Sequence, residues 1–258
     1  MLPPPVPVYW ALPNFRRELH LELSTKQEQF NAAMELYTST SRYRLFGILI
    51  AIANVSVQIY LLFRVWPYSI GLAWQLLSVL IAYVVADFVN GLVHMFMDGN
   101  DRYDSIAGPL IANFHMHHKI PKYQKHNLLI VYFMESGSKI WLVGYLLAVV
   151  ALLGVSGADP RLLYILVYVG ILSSVAEVSH YLCHTSTSAV AMFLGKTGVL
   201  LSKRHHASHH LADNNSYAFL NGYTDPLLNL IAKKFSGGYK KTTDLHYAAY
   251  TSDSSESR

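Results

Sequence analysis

Long apolar runs alternate along this chain with short polar segments rich in histidine. The first run, Leu45 to Trp66, follows Arg42 and Arg44 and is long enough for one bilayer crossing, which takes roughly 20 helical residues. Trp66, Pro67 and Tyr68 form an aromatic turn suited to a membrane interface. A second run, Ile70 to Val93, comes straight back, and polar Asp87, Asn90, His94 and Asp98 gather at its end. Residues 99 to 127 are hydrophilic, and Leu128 to Phe133 is apolar but too short to cross. The pattern predicts a third crossing from about Ile140 to Val155, a turn over Gly157 to Pro160, and a fourth crossing from Arg161 to about Val178. Ala189 to Leu201 reads as a segment lying flat in the interface.

Upstream, residues 1 to 23 read as an extended, proline-punctuated arm. Thr25 and Glu28 have the spacing of a capping box, ahead of an amphipathic helix over 25–38 with Phe30, Ala33, Met34 and Tyr37 on one face. The expected architecture is an all-α integral membrane protein, with about four transmembrane helices in two hairpins and a cytosolic, histidine-rich helical cap. Its expected parts are an arm and amphipathic helix (1–44), a membrane domain (45–235) and a partly disordered tail (236–258).

Composition supports a multi-pass protein. Only 14% of residues are charged, against roughly 25% in an average soluble protein. The net charge of +4 is modest and points to anionic headgroups and membrane orientation rather than nucleic acid. The single cysteine, Cys183, excludes an intramolecular disulfide and any paired-cysteine metal site. A metal site here would use histidine and carboxylate ligands.

Eleven of the thirteen histidines fall in four clusters. Asp87, His94 and Asp98, at offsets of seven and four, share a helical face. His115, His117, His118 and His126 follow in the hydrophilic stretch. Glu177, His180 and His184 lie on one face at the end of the fourth run; the His-x-x-x-His pair suits one metal ion, with Glu177 orienting a ring nitrogen. The densest stretch holds His205, His206, His209 and His210, which pair four apart as 205/209 and 206/210. Taken singly, the first and third clusters also fit a buried Asp–His pin and polar helix contacts, and the second fits a solvated loop. Together they converge, because two crossings between His126 and His180 return every cluster to one side. Arg42, Arg44, Lys119, Lys122, Lys125, Lys203, Arg204, Lys233 and Lys234 fall there too, which makes that side cytosolic. A metal transporter or sensor is the reading from another class; Asn54, Ser56 and Gln58 are the only notable polar residues inside the first run.

Four histidine clusters interleaved with two membrane hairpins resemble the membrane di-iron desaturases and hydroxylases. More narrowly, the chain resembles the plasmanylethanolamine desaturase family, to which a plant plastid acyl-lipid desaturase is similar. The resemblance rests on Asp87-Phe88 with Gly91, His94 and Asp98; on Phe114 with His117, His118 and Pro121; on His180 and His184; and on Lys203 to His210 followed by Tyr217, Asn221-Gly222 and Asp225-Pro226-Leu227. It departs from the family at Met95, usually tryptophan, at His126, one residue closer to the proline than expected, and at Glu177, usually neutral. The resemblance implies two iron ions held by His94, His117, His118, His126, His180, His184, His205, His206, His209 and His210. Asp87, Asp98, His115, Glu177, Asn221 and Asp225 would support or join them, and Lys203 and Arg204 would meet the lipid headgroup. It implies an O2-dependent desaturation of a membrane phospholipid, alkyl ether to vinyl ether. Electrons would come from cytochrome b5, or from ferredoxin with its reductase. An acyl-lipid desaturase or hydroxylase with the same ligands is the neighbouring alternative. The membrane would be the endoplasmic reticulum in a eukaryote or the inner membrane in a bacterium.

Overall fold

A computed structural model describes residues 13–119, 128–134, 139–155, 157–186 and 188–250. Among these residues the fold is helical, without strands. The helices are α1 (Pro13–Ser39), α2 (Ser41–Val65), α3 (Leu72–Asp98), α4 (Gly108–Lys119), α5 (Leu128–Met134) and α6 (Ile140–Leu153). They continue with α7 (Pro160–Thr185), α8 (Ala189–Lys196), α9 (Lys203–Leu211), α10 (Asp225–Phe235) and α11 (Thr243–Ala248).

Three helices, α2, α3 and α7, are long and apolar enough to cross a membrane. Many of their large side chains face outward with no protein cover, among them Leu49, Phe63, Leu76 and Leu80, as expected of lipid-facing positions. The third expected crossing is shorter than the sequence suggests. Helix α6 has 14 residues and rises only about 21 Å, against about 30 Å of hydrocarbon. It begins at Ile140, as expected, and ends at Leu153, two residues before Val155. Lys139, just before the helix, is buried and its ammonium turns inward to Asn90 and Glu177.

Helix α7 is the central element; half of its apolar window is buried, against 22% in α2. Asp159 accepts from the Arg161 amide at its start, and Pro160 occupies the first turn, where no amide donor is needed. It packs on α3 through small residues, Ala82 and Ala86 against Ala176, which let the two backbones approach closely. Helix α6 runs antiparallel to α7, with Leu142, Leu146 and Val149 against Leu163, Tyr164 and Val167. A Cβ at Gly170 would lie 2.6 Å from Leu146 Cδ2, so glycine leaves room for that side chain at the crossing.

The N-terminal region differs from the extended arm expected before residue 24. Helix α1 already begins at Pro13, so Thr25 and Glu28 lie inside it and not at its start. Its Phe30, Ala33 and Met34 are buried against Tyr103, Ile111 and Ala112 and pack on the body of the protein. Residues 236–250, expected to be tail, join the same body. Tyr239, Thr243, Asp244 and His246 are buried, and α11 packs on α1 and α4. Helix α8 carries no buried residue and exposes Val190, Met192 and Phe193, in keeping with a segment at the interface.

Candidate metal centre

The ends of α3 and α7, the end of α4 and the whole of α9 converge. His94, Asp98, His117, His118 and His209 form one group whose potential ligand atoms all lie within 4.8 Å of one another, and His180, His184 and His206 form a second. The groups adjoin: the His117 and His180 rings are 5.4 Å apart, and the His94 and His180 rings 6.1 Å. His210 joins them, 2.9 Å from His206 through the Nε2 atoms and 4.8 Å ring to ring from His118.

In the second group the Nε2 atoms form a triangle with sides of 3.0 Å (His180–His206), 3.1 Å (His180–His184) and 2.8 Å (His184–His206). Three nitrogens held about 2.1 Å from one ion at right angles lie about 3.0 Å apart, so the donor set fits a transition metal.

The first group has a different sign of the same fit. The ring nitrogens His94 Nε2, His117 Nε2 and His209 Nε2, together with both Asp98 oxygens, are buried without a hydrogen bond. His94 Nε2 and His209 Nε2 stand 3.3 Å and 3.4 Å from Asp98 Oδ2, in ion-pair range but not aligned as hydrogen bonds. A buried polar atom left so costs stability unless another partner takes it.

The rings are oriented from behind. His94 Nδ1 donates to the Tyr217 carbonyl at 2.8 Å, His117 Nδ1 to the Phe114 carbonyl at 2.5 Å, and His209 Nδ1 to the Asn215 carbonyl at 2.9 Å. A carbonyl only accepts, so each Nδ1 carries the proton and each Nε2 presents a lone pair to the centre. Burial drives His117, His206 and His209 well below the ordinary imidazole value and His210 down to about 2, which keeps these rings neutral and free to ligate at pH 7. His118 differs. Burial lowers it, but Asp98 and Asp244 outweigh burial and raise it to about 9.

The structure separates the remaining residues singled out in the sequence. His205 points away from the centre, where its Nε2 meets Asp225. On a helix of about 100° per residue, His206, His209 and His210 span one arc of about 100°, and His205 lies beyond its edge. The pocket for this ring exists because Gly222, at φ +90, has no Cβ; one would stand 3.0 Å from His205 Nε2. His115 also turns away, its ring nitrogens engaged by the Tyr103 hydroxyl (3.0 Å) and the Met97 carbonyl (2.8 Å). Glu177 faces Lys139 at 3.2 Å rather than a ring nitrogen. His126 lies outside the described residues. Lys203 and Arg204 are exposed at the start of α9, where the Ser202 hydroxyl caps the helix.

Asp87 is fully buried and holds no ring. It accepts from the amides of Leu220, Asn221, Gly222 and Thr224 at 2.9–3.3 Å and from the Thr224 hydroxyl at 2.7 Å. Asp225 accepts from the Ala218 amide at 2.9 Å, and Asn221 accepts from the Tyr223 amide at 2.8 Å. These three residues fix the 217–225 loop, which supplies the Tyr217 carbonyl to His94 and stacks Phe219 on His180 at 4.1 Å.

Beside His94 a pocket is lined by apolar Val93, Met97, Phe114, Trp141 and Phe219 and by polar Asn90, Lys139 and Glu177. Lys139 donates to Asn90 Oδ1 at 2.9 Å and to the Ser173 carbonyl, so its ammonium is paired and satisfied in the interior. Sequence reasoning passed over Lys139, and it also passed over Tyr239, Lys240 and Asp244, which reach the centre from the segment taken for tail. The only local signal for the latter was a run of Tyr239, Asp244, His246 and Tyr247 among otherwise small and polar residues.

The sequence matches the lipid desaturase domain over residues 83–235, more than half of the chain. The chain belongs to the lipid desaturase domain family. It is 28% identical over 205 residues to plasmanylethanolamine desaturase of Myxococcus xanthus, an alignment covering 76% of this chain and 70% of the relative. No solved structure matches it. The matched segment contains both groups of potential ligands and ends before Tyr239.

Proposed function

We propose that this chain is an O2-dependent di-iron lipid desaturase that converts plasmanyl phospholipid, with an alkyl ether chain, to plasmenyl phospholipid, with a vinyl ether. The observation that carries this reading is the pair of adjoining ligand groups, neutral for the most part, in the first of which backbone carbonyls orient His94, His117 and His209. One iron would be held from His94, Asp98, His117, His118 and His209, and the other from His180, His184 and His206, with His210 between them. Bound iron would supply the redox chemistry, in which O2, two electrons, two protons and two hydrogens of the lipid give two waters and a carbon–carbon double bond. An electron donor such as cytochrome b5, or ferredoxin with its reductase, would supply the electrons.

The protein's own part is positioning. The aromatic side chains of the pocket beside His94 would hold the lipid chain against the centre, and Phe219, packed on both His94 and His180, would keep water away from it. The headgroup would meet the exposed Lys203 and Arg204. The centre would face the cytosol, on the endoplasmic reticulum in a eukaryote or the inner membrane in a bacterium. The α6–α7 hairpin would serve as the second pair of crossings, with α6 spanning incompletely. Transport is disfavoured because Gln58 inside α2 is buried and bonded to Ser174 (2.9 Å) and Tyr132 (2.7 Å), joining helices rather than lining a path.

Lipid extracts of cells that lack vinyl ethers but contain alkyl ether phospholipids should gain acid-labile vinyl ethers when this chain is expressed. New double bonds in acyl chains with no vinyl ether would assign it instead as an acyl-lipid desaturase.

A further inference from the structure

Three imidazoles of the first group have a backbone carbonyl behind Nδ1: Tyr217 for His94, Phe114 for His117 and Asn215 for His209. The fourth, His118, has a carboxylate. Its Nδ1 lies 3.1 Å from Asp244 Oδ1, in ion-pair range but not aligned as a hydrogen bond, while its Nε2 lies 3.3 Å from Asp98 Oδ1 inside the group. We propose that Asp244 is a positioning residue of the metal centre, accepting from His118 Nδ1–H so that Nε2 is the ligating atom. The inference rests on the two-metal reading above and extends the centre beyond the segment that the family match covers.

Asp244 is itself held for this task. Lys240 Nζ pairs with Asp244 Oδ2 at 2.9 Å and donates to the His210 carbonyl, so one cation ties the carboxylate to the helix that carries the other ligands. The Tyr239 hydroxyl donates to the His209 carbonyl. The Thr243 hydroxyl donates to the Asp98 carbonyl at 2.6 Å. Residues 239–244 therefore bind the backbone of three ligand residues and the side chain of a fourth. A carboxylate behind a ligating imidazole fixes its tautomer and raises its basicity, and loss of such a partner weakens metal binding about 10–100-fold.

The test is a Co(II) titration of the full-length protein in detergent, read from the d–d absorption bands. The wild type is expected to bind two equivalents. Asp244→Ala should weaken one equivalent by about 10–100-fold and leave the other, at His180, His184 and His206, within threefold. Asp244→Asn, nearly isosteric and still able to accept from Nδ1–H, should recover part of that loss; it also serves if the alanine variant fails to fold. Two equivalents of wild-type affinity in both variants would overturn the inference, as would equal weakening of both equivalents in Asp244→Asn, which marks a general packing defect. A wild type that binds no metal would instead overturn the functional reading itself.

Discussion

His206→Ala is expected to bring desaturation to background and to remove one metal equivalent from the protein. The His206 Nε2 lies within 3.0 Å of the Nε2 atoms of His180, His184 and His210, so it is the common vertex of the second group. Removing it leaves two ligands for an ion that needs at least three from the protein. His205→Ala, one residue away, should behave differently. That ring serves Asp225, and its loss should cost about 1–3 kcal/mol through an unpaired buried carboxylate, with metal content retained. Product formation and metal content measured side by side on the two variants check this. Loss of metal in His205→Ala with retention in His206→Ala would reverse the assignment.

Lys139→Met should destabilise the protein by about 3–5 kcal/mol, the usual result of stranding one member of a buried ion pair. Glu177, with 12% of its side chain exposed, would lose its cation, and Asn90 Oδ1 and the Ser173 carbonyl would lose their donor. Lys139→Met combined with Glu177→Gln removes both charges and should recover most of the loss. Thermal unfolding of the two variants in detergent distinguishes the cases: equal destabilisation would show that packing, not the pair, matters at this position.

Much of the architecture is legible in the sequence because the bilayer imposes a length rule on apolar runs. Leu45 to Trp66, Ile70 to Val93 and Arg161 to Val178 correspond to α2, α3 and α7 within a few residues at most ends. Ile140 to Val155 overlaps α6 to within two residues, yet 14 helical residues rise only about 21 Å against roughly 30 Å of hydrocarbon, a shortfall of length that hydropathy does not register. The metal centre is legible in its composition and less so in its orientation. Spacing pairs His180 with His184 and His206 with His210, and their Nε2 atoms lie 3.1 Å and 2.9 Å apart, but a spacing of four treats His205 as the equal of His206. The bond between His205 and Asp225, with Gly222 clearing room, is a tertiary fact. Asp87 lies on the helical face of His94 and Asp98, as its offset requires, yet its oxygens are taken by the 220–224 turn. Asp244 is separated from His118 by about half of the chain, and no periodicity connects them.

The most direct measurement is the metal content of the purified full-length protein, by elemental analysis with Mössbauer spectroscopy. The convergence of seven histidines and Asp98 into two adjoining groups, with His210 beside them, predicts two iron atoms per chain. Stoichiometric zinc with no iron would contradict it, since zinc has no redox cycle with which to desaturate a lipid.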